Sequence, residues 1–225
     1  NNNIYNWNKV LQNFKVADMR WQAVFFDFDG VILDSVNVKS QAFRTMFQQY
    51  GPEVEKAVMD YHLANPGVSR YKKFEYIYTR ILRQKINQET LDVLGEQFSK
   101  LALNKLLKAP FVPGALETLT RLNKKNIPSF IASGTPDREI RYIIKNLGLT
   151  NYFMEIHGSP KEKQDIIEEI CNRYNLEEEN CLFIGDALTD YEAAKKTGMN
   201  FLGIVKSCEY SSFPKNTWIK EKLTL

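Results

Sequence analysis

The chain has 225 residues, 44% hydrophobic and 25% charged, with 30 Lys and Arg against 27 Asp and Glu. That composition is ordinary for a globular protein and long enough for one substantial core carrying an inserted lobe. A dispersed net charge of +3 argues against nucleic acid as a partner, and no run reaches the ~18 apolar residues that a membrane span needs. Cys171, Cys181 and Cys208 are odd in number and lack CxxC spacing, so they read as reduced thiols of a cytoplasmic protein.

In chain order, residues 1–20 place Ile4, Trp7, Leu11 and Phe14 at helical spacing, which predicts a short amphipathic extension packed on the main body or docking a partner. A strand is predicted over 21–26, ending at Asp27 and Asp29 with Gly30 after them. Asp34-Ser35 then forms a helix N-cap. From there to residue 109 the periodicity is helical throughout, with breaks at Gly51-Pro52 and Asn65-Pro66-Gly67. This predicts an all-helical insert over 36–109.

Pro110 and Pro113-Gly114 mark the return to the main body. Helices are predicted over 115–125, 137–146, 161–174 and 191–197. Strands are predicted over 127–132, 152–156, 181–184 and 201–205. The alternation predicts an α/β fold: a doubly wound, Rossmann-like parallel sheet with a core over 21–35 and 110–225. Phe213 and Trp218 read as ties between the tail and the sheet, or as part of an interface.

In such sheets ligands bind beyond the carboxyl ends of the strands. Four strands here stop at residues that chemistry can use. The first gives Asp27 and Asp29; the second gives Ser133 and Gly134, a hydroxyl and backbone N–H groups that suit an anion. The third leads to Lys161 and Lys163, and the fourth to Asp186 and Asp190. Taken singly each is a turn, a cap or a surface charge. Together they predict a site for Mg²⁺ and phosphate, since Mg²⁺ takes a few oxygen ligands and leaves room for substrate.

Asp-Phe-Asp-Gly-Val, Ser-Gly-Thr, the Lys after Gly-Ser-Pro, and Gly-Asp-Ala-Leu-Thr-Asp resemble the four motifs of the haloacid dehalogenase superfamily, over about residues 21–205. The resemblance implies a hydrolase with a helical cap inserted after the first strand. It implies Asp27 as the nucleophile that becomes an aspartyl-phosphate, and Asp29 as general acid/base. Asp27, Asp29 (through its carbonyl), Asp186 and Asp190 would serve the metal. It further implies Ser133 and Gly134 as phosphoryl-binding groups and Lys163, preferred to Lys161 by spacing, as the neutralising cation.

Gly-Val-Ser-Arg resembles the substrate loop of β-phosphoglucomutase-like members, so Arg70 either grips an anionic group or is solvated beside a Ser69 cap. Lys39 stands where many relatives carry a His and suggests a cationic pocket wall. His62 and His157 read as structural. The expected partner is a small phosphorylated metabolite, a sugar phosphate or a phosphoglycolate-like acid, and the expected reaction is Mg²⁺-dependent hydrolysis. The alternative is a phosphosugar mutase. Dehalogenation is disfavoured by Asp29, and a non-catalytic scaffold by the intact pair of Asp27 and Asp29.

Overall fold

The four residues of the first strand, Ala23–Phe26 (β1), are wholly buried, as an unbroken apolar run with no polar face requires. The computed structural model describes residues 21–225; the extension predicted over 1–20 lies outside the described residues. β1 sits near the middle of a six-stranded parallel sheet. Its partners are Ser129–Pro136 (β2), Glu155–Ser159 (β3), Cys181–Gly185 (β4), Asn200–Ile204 (β5) and Ile219–Lys220 (β6), in the order β3-β2-β1-β4-β5-β6. Connections run outward in both directions from β1 and β4. The carboxyl ends of that pair are therefore the topological switch point, where an open α/β sheet forms its crevice.

Strand alternation divides the core. Val24, Phe26, Ile131, Leu182 and Ile184 point to one face, and Ala23, Phe25, Phe130, Cys181 and Phe183 to the other. Helices Ala115–Lys124 (α5) and Asp137–Asn146 (α6) cover the first face through Leu119, Leu122, Ile140 and Ile144. Lys163–Tyr174 (α7) and Leu188–Thr197 (α8) cover the second through Ile166, Ile167, Ile170 and Ala194.

Between β1 and α5 the described chain is helical. Val36–Phe47 (α1), Pro52–Ala64 (α2), Arg70–Tyr76 (α3) and Gln88–Leu106 (α4) form a lobe around Phe43, Phe47, Phe74 and Phe98. The third predicted helix is shorter than its apolar stripe suggests, since α3 passes into a π-helical turn over Ile77–Ile81.

Several boundaries differ from the sequence expectation: α7 begins at Lys163 and not 161, and α8 at Leu188 and not 191. Ser133–Pro136 is the end of β2, not a turn after it, with Pro136 paired to Ser159 beyond a register shift. The strand expected over 152–156 begins at Glu155, because Thr150–Tyr152 forms a 3₁₀ turn. The strand at 200–204 is not the last: β6 follows. Its approach is anchored by Phe213, buried against Phe201 and Tyr191, and by the Trp218 carbonyl, which accepts from Gly203 N–H at 2.9 Å. Beyond it Leu223 is buried. Its N–H donates to Pro113 O and its carbonyl accepts from Thr118 Oγ1, both at 2.9 Å.

Leu223→Ala is expected to cost about 2–5 kcal/mol, read as a lowered urea midpoint; an unchanged midpoint would remove the tail from the core. Glu155 on β3 gives a second test. Burial opposes its ionisation, but hydrogen bonds from Arg173, His157 and Tyr174 outweigh that and hold its pKa near 2, against an ordinary 4.5. A depressed acid stabilises above its unfolded pKa and loses that contribution as pH falls through its folded one. The stability gap between wild type and Glu155→Gln should therefore shrink as pH falls from 4.5 towards 2; a gap independent of pH would contradict the assignment.

Candidate active site

The chain leaves β1 at Asp27, whose N–H still donates to Ile184 O on β4 at 2.9 Å. That bond holds the buried carboxylate at the mouth of the crevice. Its Oδ1 accepts from Phe28 N–H at 2.6 Å and its Oδ2 from Lys163 Nζ at 2.8 Å. Lys163, in the first turn of α7, is buried and also donates to Asp190 Oδ1. Asp190 is fully buried in the first turn of α8, where its Oδ2 accepts from Ala187 N–H at 3.0 Å. Lys161 points elsewhere, to Glu169 at 2.6 Å.

Asp186, just past β4, completes the cluster: carboxylate oxygens of Asp27, Asp186 and Asp190 lie within 4.8 Å of one another. Three carboxylates thus face one ammonium. Burial and then the charges of Asp27 and Asp190 push the Asp186 pKa well above the ordinary carboxylate range, against the opposing pull of Lys163. Excess negative charge on hard oxygen donors suits a divalent cation such as Mg²⁺. Gly30 belongs to the same geometry. Its φ is +77°, and a Cβ there would stand 2.0 Å from Asp186 Oδ2, so any side chain would displace the carboxylate.

The Asp29 carboxylate belongs to a different group. Its Oδ1 accepts from Ser35 Oγ at 2.5 Å, and its Oδ2 accepts from Thr135 Oγ1 at 2.8 Å and from Lys39 Nζ. Burial works against its charge, but the Lys39 ammonium and these three donors prevail, and its pKa lies below the ordinary value. Two expectations change here. Ser35 begins α1 without a side-chain cap, because its hydroxyl serves Asp29. Lys39 is not a bare wall of the pocket; it is the counter-ion of Asp29 and also donates to Thr135 Oγ1 at 2.8 Å.

Arg70 differs more. Ser69 does cap α3, accepting from Lys72 N–H at 3.4 Å, yet Arg70 is not solvated. Its guanidinium is buried, lies 4.3 Å from the Phe98 ring centroid, and is held in a fork by Glu139 on α6 and by Ser99 Oγ at 2.9 Å. The arginine is a tie between the helical lobe and the sheet. Lys72 and Glu162 make a second, exposed tie at 2.5 Å. Gly67 O adds a third contact, since a Cβ on Gly134 would stand 2.7 Å from it.

The lobe and the sheet edge enclose a cavity lined by Asp27, Asp29, Asp186 and Gly134 below and by Lys39, His62, Arg70 and Lys73 above. Gly67 and Val68 divide it from a second cavity, reached by Ser133 and Lys163. On that second cavity the buried hydroxyls of Ser159 and Thr189 have no hydrogen-bond partner among the described residues. His157 lies apart from the cluster, bonded to Glu155 at 2.6 Å.

A doubly wound sheet with a helical lobe after its first strand, and a carboxylate–lysine cluster at its switch point, defines a class of phosphate-handling hydrolases. The model of the haloacid dehalogenase-like hydrolase family matches residues 24–204, and the chain belongs to that family. It is 28% identical over 192 residues to a phosphorylated carbohydrates phosphatase of Thermotoga maritima, covering 83% of this chain and 86% of that one. It is 24% identical over 191 residues to phosphoglycolate phosphatase 1 of Pseudomonas aeruginosa, covering 78% and 66%. In fold it is similar to a β-phosphoglucomutase of Clostridium difficile, with a TM-score of 0.66 at 20% identity over 82% of this chain and 85% of that one.

Glu139, Thr135, Ser35 and Lys73 are given no role at the site by the sequence. Thr135 stands within the Ser-Gly-Thr motif, and Glu139 is two residues beyond Asp137; neither spacing points across to the lobe. Glu139→Gln is expected to leave Arg70 buried and uncompensated, at a cost of about 3–5 kcal/mol in urea unfolding. A loss below ~1 kcal/mol, the worth of a surface pair, would mean the tie is solvated.

Proposed function

We propose that this enzyme is a Mg²⁺-dependent phosphatase of small phosphorylated metabolites, a phosphorylated carbohydrate or a phosphoglycolate-like acid, working through an aspartyl-phosphate on Asp27. The observation that carries the reading is the Lys163 ammonium shared by Asp27 and Asp190, with Asp186 beside them, where Asp27 and Asp186 line the cavity under the lobe and Lys163 lines the one next to it. A carboxylate repels a phosphate dianion, and attack needs that repulsion offset.

Asp27 supplies the attacking oxygen. Lys163 holds it in place and neutralises the charge that it shares with the arriving phosphoryl group. Ser133 and the Gly134 backbone hold the equatorial oxygens. Asp186 and Asp190, with Asp27 and the Asp29 carbonyl, would hold Mg²⁺, which when bound supplies positive charge against the phosphoryl oxygens. The bond from phosphorus to the leaving oxygen breaks as the bond to Asp27 forms, and Asp29 gives its proton to the leaving oxygen. Asp29 then takes a proton from the water that attacks phosphorus, the bond to Asp27 breaks, and inorganic phosphate leaves.

At rest Lys39 favours the ionised Asp29, the form that the second step needs. A phosphate dianion beside the pair offsets Lys39 and raises the affinity of Asp29 for the proton that the first step needs. The helical lobe, taken here as a cap over 36–109, excludes bulk water and limits substrate size. A phosphosugar mutase would draw on a free Arg70 to hold a second phosphate, and the Glu139 fork on that guanidinium weighs against it.

Release of phosphate from a panel of sugar phosphates, phosphoglycolate and nucleoside monophosphates tests the reading. Turnover should require Mg²⁺, stop with EDTA, and fall by roughly a thousandfold or more in Asp27→Asn with the fold intact. Mg²⁺ should raise the melting temperature of wild type and fail to do so in Asp186→Asn. Full activity in Asp27→Asn would eliminate the covalent route, and turnover in EDTA would eliminate the metal.

A further inference from the structure

We infer that the cap side of the cavity is a receptor for a carboxylate on the substrate, with Lys73 as the group that receives it; this rests on the phosphatase reading above. The substrate class it selects is the phosphate monoester of a hydroxy acid, in preference to a neutral sugar phosphate.

The inference follows from how charge is distributed in the cavity. Three cations line its upper part. Lys39 is paired with Asp29, and Arg70 with Glu139. Lys73, on α3, is only 4% exposed and has no carboxylate within salt-bridge distance among the described residues. Its ammonium has three N–H donors. One reaches His62 Nδ1 at 3.1 Å, and one reaches His62 O at 3.3 Å. The third has no acceptor among the described residues. The Phe43 ring, 5.7 Å away, is the other near surface.

The histidine completes the case. Burial, then the charges of Lys73 and Lys39, lower its pKa to about 3, so it is neutral. Its Nε2 lies 2.9 Å from Ser40 Oγ, and that hydroxyl donates to Val36 O at 3.0 Å. Ser40 is therefore the acceptor at Nε2, which fixes the ring proton there and leaves Nδ1 as the acceptor for Lys73. The relay orients Lys73 without giving it any negative charge.

A buried cation without an anion is costly, and its ordinary response is to lose the proton. Burial and the Lys39 charge, opposed by distant Asp186, bring the Lys73 pKa down to about 7. An anion entering the cavity would restore the charge, so the site gains from a ligand what the fold withholds. A single compact ammonium with a neutral imidazole matches a monoanion. The planar fork that suits a second phosphate belongs to Arg70 and is already filled by Glu139.

The test uses matched pairs of different length: 6-phosphogluconate against glucitol 6-phosphate, and 3-phosphoglycerate against glycerol 3-phosphate. The readout is the acid-to-neutral ratio of kcat/KM. In wild type it should exceed about 10 in at least one pair, carried by KM. In Lys73→Met it should fall to near one, and Lys73→Arg should recover part of it. A wild-type ratio of one or less in both pairs overturns the inference, as does a ratio retained in Lys73→Met. Should Lys73→Met fail to fold, Lys73→Gln and the wild-type ratio decide it. Phosphate release across the metabolite panel above separates the two readings: if wild type releases phosphate from no member of it, the phosphatase reading fails. The Lys73 receptor is then still tested by calorimetric binding of the same pairs to Asp27→Asn.

Discussion

Everything at the sheet edge depends on one buried ammonium. Lys163 brings its charge to Asp27 and Asp190 at the point where β1, β4 and the start of α8 converge. Without it, three carboxylates would crowd one apolar crevice, and the cheapest relief would be to protonate them or to part the strands. The lysine does not balance the cluster. Asp186 is left with a strongly raised pKa, so the site holds together while keeping an affinity for further positive charge.

The roof obeys the same rule with the signs reversed. Lys39, Arg70 and Lys73 face inward from the helical lobe, and two of them are neutralised by acids of the sheet domain. Lobe and sheet are thus joined by ion pairs as well as by one continuous apolar cluster that contains Phe26 of the sheet and Phe43 and Phe98 of the lobe. The exposed Lys72–Glu162 pair adds little to that union. The buried Arg70–Glu139 pair adds more, since parting it leaves each charge to find water.

The doubly wound sheet was legible because its central strands β1 and β4, wholly buried, read as apolar runs, and each is followed directly by a carboxylate of the site. Asp27, Asp186 and Asp190, with Lys161 or Lys163, could be brought together from topology alone, since parallel strands put all their carboxyl ends at one edge; the preference for Lys163 came from the family resemblance. The pairings across the lobe could not. Arg70 and Glu139 are 69 residues apart, and Lys39 and Thr135 are 96 apart. No local pattern records which acid answers which base. Ser35 shows the same limit at short range: its spacing reads as a cap, while its hydroxyl serves a carboxylate six residues back.

This division of labour follows from where charge can be carried cheaply. Chemistry on phosphorus needs fixed groups, and strand ends and first helical turns hold Asp27, Lys163 and Asp190 rigidly. Recognition of the remainder of a substrate needs groups that meet it only on closure. In the proposed reading the helical lobe supplies those from α1, α2 and α3, elements that line the cavity but hold none of the acid cluster. Parting the lobe from the sheet would break the Arg70–Glu139 tie and rehydrate both charges; with the two together the space has acids below and cations above. Coulombic interactions strengthen in a dry space, so an anion that bridges floor and roof is held most strongly when water is excluded.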